Sequence, residues 1–294
     1  MMWWFAGVAL ALDPGTDALV ASCSGGDLDG CAKAGAALMT AGDVAQGGAL
    51  LAGACDRGHA VACYDLGSAV VQPTSPVYDP VQAGSLFSTA CAINFAPACA
   101  DLAELYRTGV GVVQDQSAAE TLFGSACTDG VGGACAALVS FRADDERVLV
   151  HQACELGHAR SCGRAGFLSE QTAGDDAAAL KSFHRGCDLG DVESCHFVVL
   201  RTKGTEAVSA LQKACELGAG ESCQALGVMA LKGAGLPTAD APSWLRKACE
   251  LERGTACLML GAMYLEGRGV TQDESMASTW MARACALGEA SACR

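Results

Sequence analysis

Eighteen cysteines dominate the chemistry open to this 294-residue chain. They form nine pairs of one spacing, Cys-x7-Cys. The pairs are Cys23 with Cys31, Cys55 with Cys63, Cys91 with Cys99, Cys127 with Cys135, and Cys154 with Cys162. Cys187 with Cys195, Cys215 with Cys223, Cys249 with Cys257, and Cys285 with Cys293 complete the set. Such pairs can ligate a metal, cycle between dithiol and disulfide, or bridge permanently, and free thiols can pack as small apolar groups. Successive pairs begin 27 to 36 residues apart, so the cysteines mark a tandem repeat.

Other reactive constellations are sparse. Ser209 is followed by Lys213 four residues on, which is not Ser-x-x-Lys, and Thr202-Lys203-Gly204 is Lys-Thr-Gly reversed. Ser-Asp-Asn, Gly-x-Ser-x-Gly, His-Glu-x-x-His and phosphate-cradling glycine loops are missing from the sequence, so no catalytic residue and no cofactor are assigned. The net charge of −14 repels a phosphate backbone and argues against nucleic acid. No apolar run approaches the roughly 20 residues of a membrane-spanning helix, so no integral span is expected. Met1 to Leu12 is apolar and has signal-peptide length, but it lacks a basic start. Residues 1–19 are therefore read as an incomplete export signal or a partial first helix.

The elements that position the cysteines follow from alignment on each first Cys. Three residues later stands Gly26, Gly58, Gly130, Gly157, Gly190, Gly218 or Gly288, with Asn94 and Glu252 in the other two pairs. This is the signature of a helix C-terminus followed by a left-handed residue, and it places each first Cys in a last helical turn. The residue before each second Cys is small (Gly30, Ala62, Ala98, Ala134, Ser161, Ser194, Ser222, Ala256, Ala292), which lets helices approach within the ~7 Å that a bridge needs. After the second Cys an apolar stripe begins, with a buried +3 position, a small +4 and, in two units, a Tyr at +7 (Tyr106, Tyr264). Gly109, Gly233 and Gly267 end this helix A, and Asp115, Asp144, Asp175, Thr205, Asp240 and Asp273 are expected to cap the following helix B. The expected fold is all-α: a right-handed α/α solenoid of about eight helix pairs, continuous over residues 20–294. The units entering Cys154 and Cys215 have lost most of the A–B loop.

The stretches Leu102–Cys127 and Leu260–Cys285 resemble Sel1-like repeats, which are relatives of the tetratricopeptide repeat. Tyr106 and Tyr264, the turns Gly109-Val110-Gly111-Val112 and Gly267-Arg268-Gly269-Val270, and the caps Asp115 and Asp273 carry the likeness. The added Cys-x7-Cys is similar to that of the Helicobacter cysteine-rich proteins, which are secreted. Among the four cysteine chemistries, zinc sites favour shorter spacings and recruit His, whereas the five histidines (59, 151, 158, 184, 196) are scattered. Redox pairs favour Cys-x-x-Cys, and packed thiols need no fixed spacing. The reading is nine disulfides, each within its x7 unit and each contributing ~2–3 kcal/mol. That implies a periplasmic or secreted protein, or a cytosolic adaptor if the thiols are reduced.

The resemblance implies a monomeric, non-enzymatic scaffold that holds a peptide or protein partner in a groove lined by helix A. The groove draws on positions +1, +2, +5 and +8 from the second Cys: Ala100, Asp101, Glu104 and Arg107 in one unit, Leu258, Met259, Ala262 and Leu265 in another. The alternative, from relatives described as penicillin-binding or β-lactamase proteins, is a β-lactam- or peptidoglycan-fragment-binding hydrolase. Nitrocefin turnover abolished by a single Ser or His substitution would favour it. His59 and His158, four after a first Cys, read as exposed turn residues. Tyr106, Tyr264, Trp244 and Trp280 read as core, and Gln72–Pro80 as a plain A–B connection.

Overall fold

A computed structural model describes residues 14–173 and 175–293, and the segment 1–13, on which the export-signal reading rests, lies outside them. Among the described residues there are seventeen α-helices, three 3-10 turns and no strand. The chain divides into two compact units, residues 1–142 and 143–294. Unit 1 holds α1 (Pro14–Ser24), α2 (Leu28–Ala41), α3 (Val44–Cys55), α4 (Ala60–Val70), α5 (Pro80–Ala92), α6 (Ala96–Thr108), α7 (Gln116–Thr128) and α8 (Gly132–Leu138). Unit 2 holds α9 (Glu146–Glu155), α10 (Ala159–Ala173), α11 (Asp176–Asp188), α12 (Val192–Arg201), α13 (Thr205–Glu216), α14 (Gly220–Leu231), α15 (Ala241–Glu250), α16 (Gly254–Glu266) and α17 (Glu274–Ala286). From α2 onward, even-numbered helices are the A members of the repeat and odd-numbered helices the B members. The division falls at the shortest A helix, α8, so one expected A–B pair is shared between the units.

All nine bridges close within their x7 units, with Cα atoms 4.4 to 4.9 Å apart. In unit 1 they join Cys23 to Cys31, Cys55 to Cys63, Cys91 to Cys99, and Cys127 to Cys135. In unit 2 they join Cys154 to Cys162, Cys187 to Cys195, Cys215 to Cys223, Cys249 to Cys257, and Cys285 to Cys293. Each links the last turn of one helix to the first turns of the next segment. Cys31, Cys63, Cys99, Cys135, Cys162, Cys195, Cys223 and Cys257 are buried in the stack, whereas Cys293 is exposed. All nine residues at +3 from a first Cys have positive φ, including the two that are not glycine: Asn94 and Glu252, both at 63°. Glu252 tolerates the strained backbone because the bridge and the helices on both sides of the turn determine it.

The small residue at +4 has a partner that spacing alone does not reveal. A Cβ added to Gly67, Gly166 or Gly227 would lie 2.7, 2.5 or 2.6 Å from Phe87, Phe183 or Leu245. Each of these is the helix-B residue four before the next first Cys, fully buried at 0–1% exposure. In these three repeats a large knob from helix B thus fills the hole left by glycine on helix A. In unit 2 the knob Phe183 sits among Phe167 and Phe197, with ring centroids 4.5 to 5.5 Å apart, and Arg201 lies 4.6 Å over the Phe183 ring.

Caps follow the expected residues in part. Asp115, Asp175 and Asp273 accept backbone N–H bonds as helix-B caps. At α9 the cap is Asp145 rather than Asp144, because residues 143–145 form a 3-10 turn. At α13 it is Gly204 rather than Thr205, and φ of +67° explains the glycine. Asp240 occupies its cap position without a side-chain bond, since it closes a 3-10 turn.

The histidine slot also differs from expectation: four after each first Cys is the N-cap of the following segment. His59 Nδ1 accepts from the Ala62 N–H at 3.1 Å, its Nε2 lies 2.8 Å from Asp29, and its side chain is 15% exposed. Asp27 and Asp191 cap in the same slot. His158 places Nδ1 2.7 Å from the Ser161 hydroxyl, and burial lowers its pKa. Residues 71–79 connect α4 to α5, and Asp79 caps the latter.

Candidate functional site: the helix-A faces

On α6 and α16, with the +3, +4 and +6 positions buried, one face of the helix stays outside the core. On α6, Leu102, Ala103 and Leu105 are buried, while Ala100, Asp101 and Glu104 are half-buried and Arg107 is exposed. On α16, Leu260, Gly261 and Met263 are buried, while Leu258, Met259 and Ala262 are half-buried and Leu265 is exposed. The +6 residues, Leu105 and Met263, complete the buried stripe. Tyr106 and Tyr264 pack against the core clusters from their edges, half-buried, as do Trp244 and Trp280. The indole Nε1 atoms of both tryptophans are buried without a hydrogen-bond partner among the described residues.

The two faces differ in chemistry. In unit 1 Tyr64 on α4 and Asp101 on α6 lie near enough to shift each other's titration, from neighbouring repeats. Burial pushes the Asp101 carboxyl up, Tyr64 partly offsets this, and Glu104 adds to the rise. Burial also pushes up Asp65 on α4, against a smaller opposing effect of His59. Burial and then Asp101 raise the Tyr64 phenol. Glu104 accepts two bonds from Arg107, at 2.7 and 2.5 Å, so the cation of this face is paired on its own helix. This face is charged and offers hydrogen-bonding groups.

In unit 2 a cleft of about 540 Å³ lies along α14, lined by Glu221, Gln224, Ala225, Val228 and Met229, with Arg253 from the start of α16. Arg253 pairs with Glu221 at 3.0 Å, and the Thr255 hydroxyl donates to Gln224 at 2.8 Å, so polar contacts rim an apolar floor. Leu258 and Met259 extend the apolar character to α16, and flexible Met side chains suit such a surface.

On the helix-B side of unit 2, Ser209 and Lys213 line a second cleft of about 430 Å³ with His184 and Glu206. His184 Nε2 is held by Glu206 at 2.7 Å. No cluster of three or more His, Cys, Asp or Glu suited to a metal ion occurs among the described residues, and no described helix is long and apolar enough to cross a membrane.

A family model of the Sel1 repeat matches residues 96–131, 220–252 and 254–289, which contain α6, α7 and α14 to α17. These three segments carry Sel1 repeats. Among solved structures, a Sel1 repeat protein from Oxalobacter formigenes is 21% identical, with a TM-score of 0.58 over 94% of this chain and 88% of that one. A protective antigen present in uropathogenic Escherichia coli strains is 22% identical, with a TM-score of 0.51 over 92% of this chain; the present chain spans 63% of its length. Helicobacter pylori cysteine rich protein B is 29% identical over 42% of this chain and 97% of its own, with a TM-score of 0.34. No curated protein matches the chain. The matched segments include the turns at 109–115 and 267–273 and the caps Asp115 and Asp273.

Proposed function

We propose that this chain is a disulfide-stapled Sel1 scaffold that holds a peptide or protein partner along its helix-A faces outside the cytoplasm, in the periplasm or as a secreted protein. The observation that carries the reading is a contrast within one chain. Side chains that build the stack recur from repeat to repeat, whereas face positions change from Asp101, Glu104 and Arg107 to Leu258, Met259 and Leu265. A repeat that fixes its interior and varies one face is built for recognition. Nine bridges support the oxidising compartment.

Peptides selected by display against the wild-type chain provide the test, with D101K/E104K and M259S/L265S as the probing variants. The expected result is loss of charged peptides with the first variant and of apolar peptides with the second. If every selected peptide binds both variants as it binds wild type, the helix-A faces are not the binding surface.

A further inference from the structure

Two loops of the chain are near-copies in backbone, and their differences mark a second surface. Residues 109–115 and 267–273 both turn through paired positive-φ glycines, 77° and 72° in one, 68° and 71° in the other. Gln114 and Gln272 each donate to the carbonyl of Arg107 or Leu265 at 2.9 Å. The N–H groups of Asp115 and Asp273 donate to the carbonyls of Tyr106 and Tyr264, also at 2.9 Å. Val112 and Val270 pack against the cores of their units. Glycine, glutamine, aspartate and this one valine therefore make the turn.

The remaining positions are free, and they diverge. Arg268 and Thr271 in unit 2 stand where unit 1 has Val110 and Val113, which are 38% and 87% exposed. At the second residue of helix B, α7 and α17 have Ser117 and Ser275, whereas α5 has Val81, 68% exposed. The polar versions support the same backbone, so folding does not require these valines. They are also contiguous. A Cβ on Gly111 would lie 2.0 Å from the Pro80 carbonyl oxygen and 2.9 Å from the Val81 nitrogen, so the loop 109–115 touches the start of α5. Val77 and Tyr78, both exposed, precede Pro80. Single exposed valines are ordinary, but an adjoining group placed where the repeat accepts polar residues marks an interaction surface.

Size and charge identify what covers it. Five side chains span a few hundred Å², short of the ~800 Å² per partner of a stable interface. Unit 1 carries thirteen carboxylates against four Lys and Arg, and Arg107 and Arg142 are paired with Glu104 and Glu120. Asp79 and Asp115 lie within the two loops themselves. A second copy of the chain or an anionic membrane would bring like charge to this end, whereas a cationic partner is drawn to it. We propose that the A–B loop end of unit 1, built from Val81, Val110 and Val113 with Val77 and Tyr78, docks a cationic protein segment through aliphatic side chains.

The probe is a Leu/Lys amphipathic peptide, titrated calorimetrically into the full chain and into V81S/V110S/V113T, a charge-neutral variant. The expected result is at least a tenfold loss of affinity in the variant, and no preference of a Ser/Lys peptide for wild type. Circular dichroism should be unchanged; if the triple variant loses helicity, V113T alone must still weaken binding severalfold. Equal binding of the Leu/Lys peptide to wild type and variant overturns the proposal, as does equally tight binding of a Leu/Glu peptide. Self-association, or sedimentation with phosphatidylglycerol vesicles, that the triple substitution abolishes would reassign the surface and overturn it too. Loss confined to D101N/E104Q overturns this docking surface while leaving the helix-A reading in place.

Discussion

Helices α6 and α16 stand at the same point of the repeat and bury the same stripe, yet one presents Asp101, Glu104 and Arg107 and the other Met259, Ala262 and Leu265. The same division recurs at the loops that follow, where Val110 and Val113 replace Arg268 and Thr271 on an unchanged backbone. Stacking fixes the bridge, the left-handed residue, the cap and the knob-and-hole pair. It places little demand on anything else. Surface chemistry can therefore reverse between units without cost to the fold, which is why the partner's chemistry has to be sought in the differences between repeats.

The largest expected effect tests whether the two units are separate in stability. Phe87→Ala and Phe183→Ala each empty a filled hole and should cost about 3–5 kcal/mol. In hydrogen exchange the first should lower protection within residues 14–142 and the second within 143–293. Equal loss across both units from either substitution would mean that they unfold as one body.

Caps give a smaller contrast. Asp115→Ala and Asp273→Ala should each cost about 1 kcal/mol in urea unfolding, because each carboxylate accepts two backbone N–H bonds. Asp240→Ala should cost well under that, since its side chain makes no cap bond. An Asp240 effect as large as the other two would show that dipole charge, rather than the bond, stabilises these helix ends.

The smallest effect separates the units by pH. Asp65 and Asp101 in unit 1 hold their protons more tightly in the folded chain than their ordinary value of 3.8. Their burdened ionised forms are thus relieved as pH falls through the raised folded values toward 3.8, and unit 1 gains stability over that window. Glu170 in unit 2 is shifted down, first by its bond from Arg201. Its contribution is present above 4.5 and is lost as pH falls through the lowered folded value. Carboxyl-carbon NMR titration should find Asp101 above 3.8 and Glu170 below 4.5. The opposite order would break the contrast.

Much of this architecture was legible in residue spacing. Cys-x7-Cys defined the repeat and its bridges, from Cys23 with Cys31 through Cys285 with Cys293, and the residue at +3 gave its turn at the seven glycines and Asn94; Glu252 departs from that pattern, yet takes the same positive φ. The caps at Asp115, Asp175 and Asp273 followed from one residue type before an apolar stripe. Asp145 and Gly204 did not, because short 3-10 and glycine turns shift a helix start by one residue. The N-cap slot four after each first Cys was hidden by its mixture of types, with Asp27, His59 and Asp191 sharing it with Phe95, Val131 and Ala219. The knobs were hidden likewise, since Phe87, Phe183 and Leu245 are not of one type and meet their holes only across helices. On the faces, periodicity marked Asp101 as outward, but its neighbour Tyr64 stands 37 residues away in sequence and leaves no local signal.

The most direct test of the account is the number of free thiols, found by alkylating the unreduced protein from its own cell under denaturing conditions and weighing it intact. Nine bridges predict no labelled cysteine. Eighteen labelled cysteines would contradict the account: the stack would then stand on its knobs and holes alone, and the argument for an oxidising compartment would be gone.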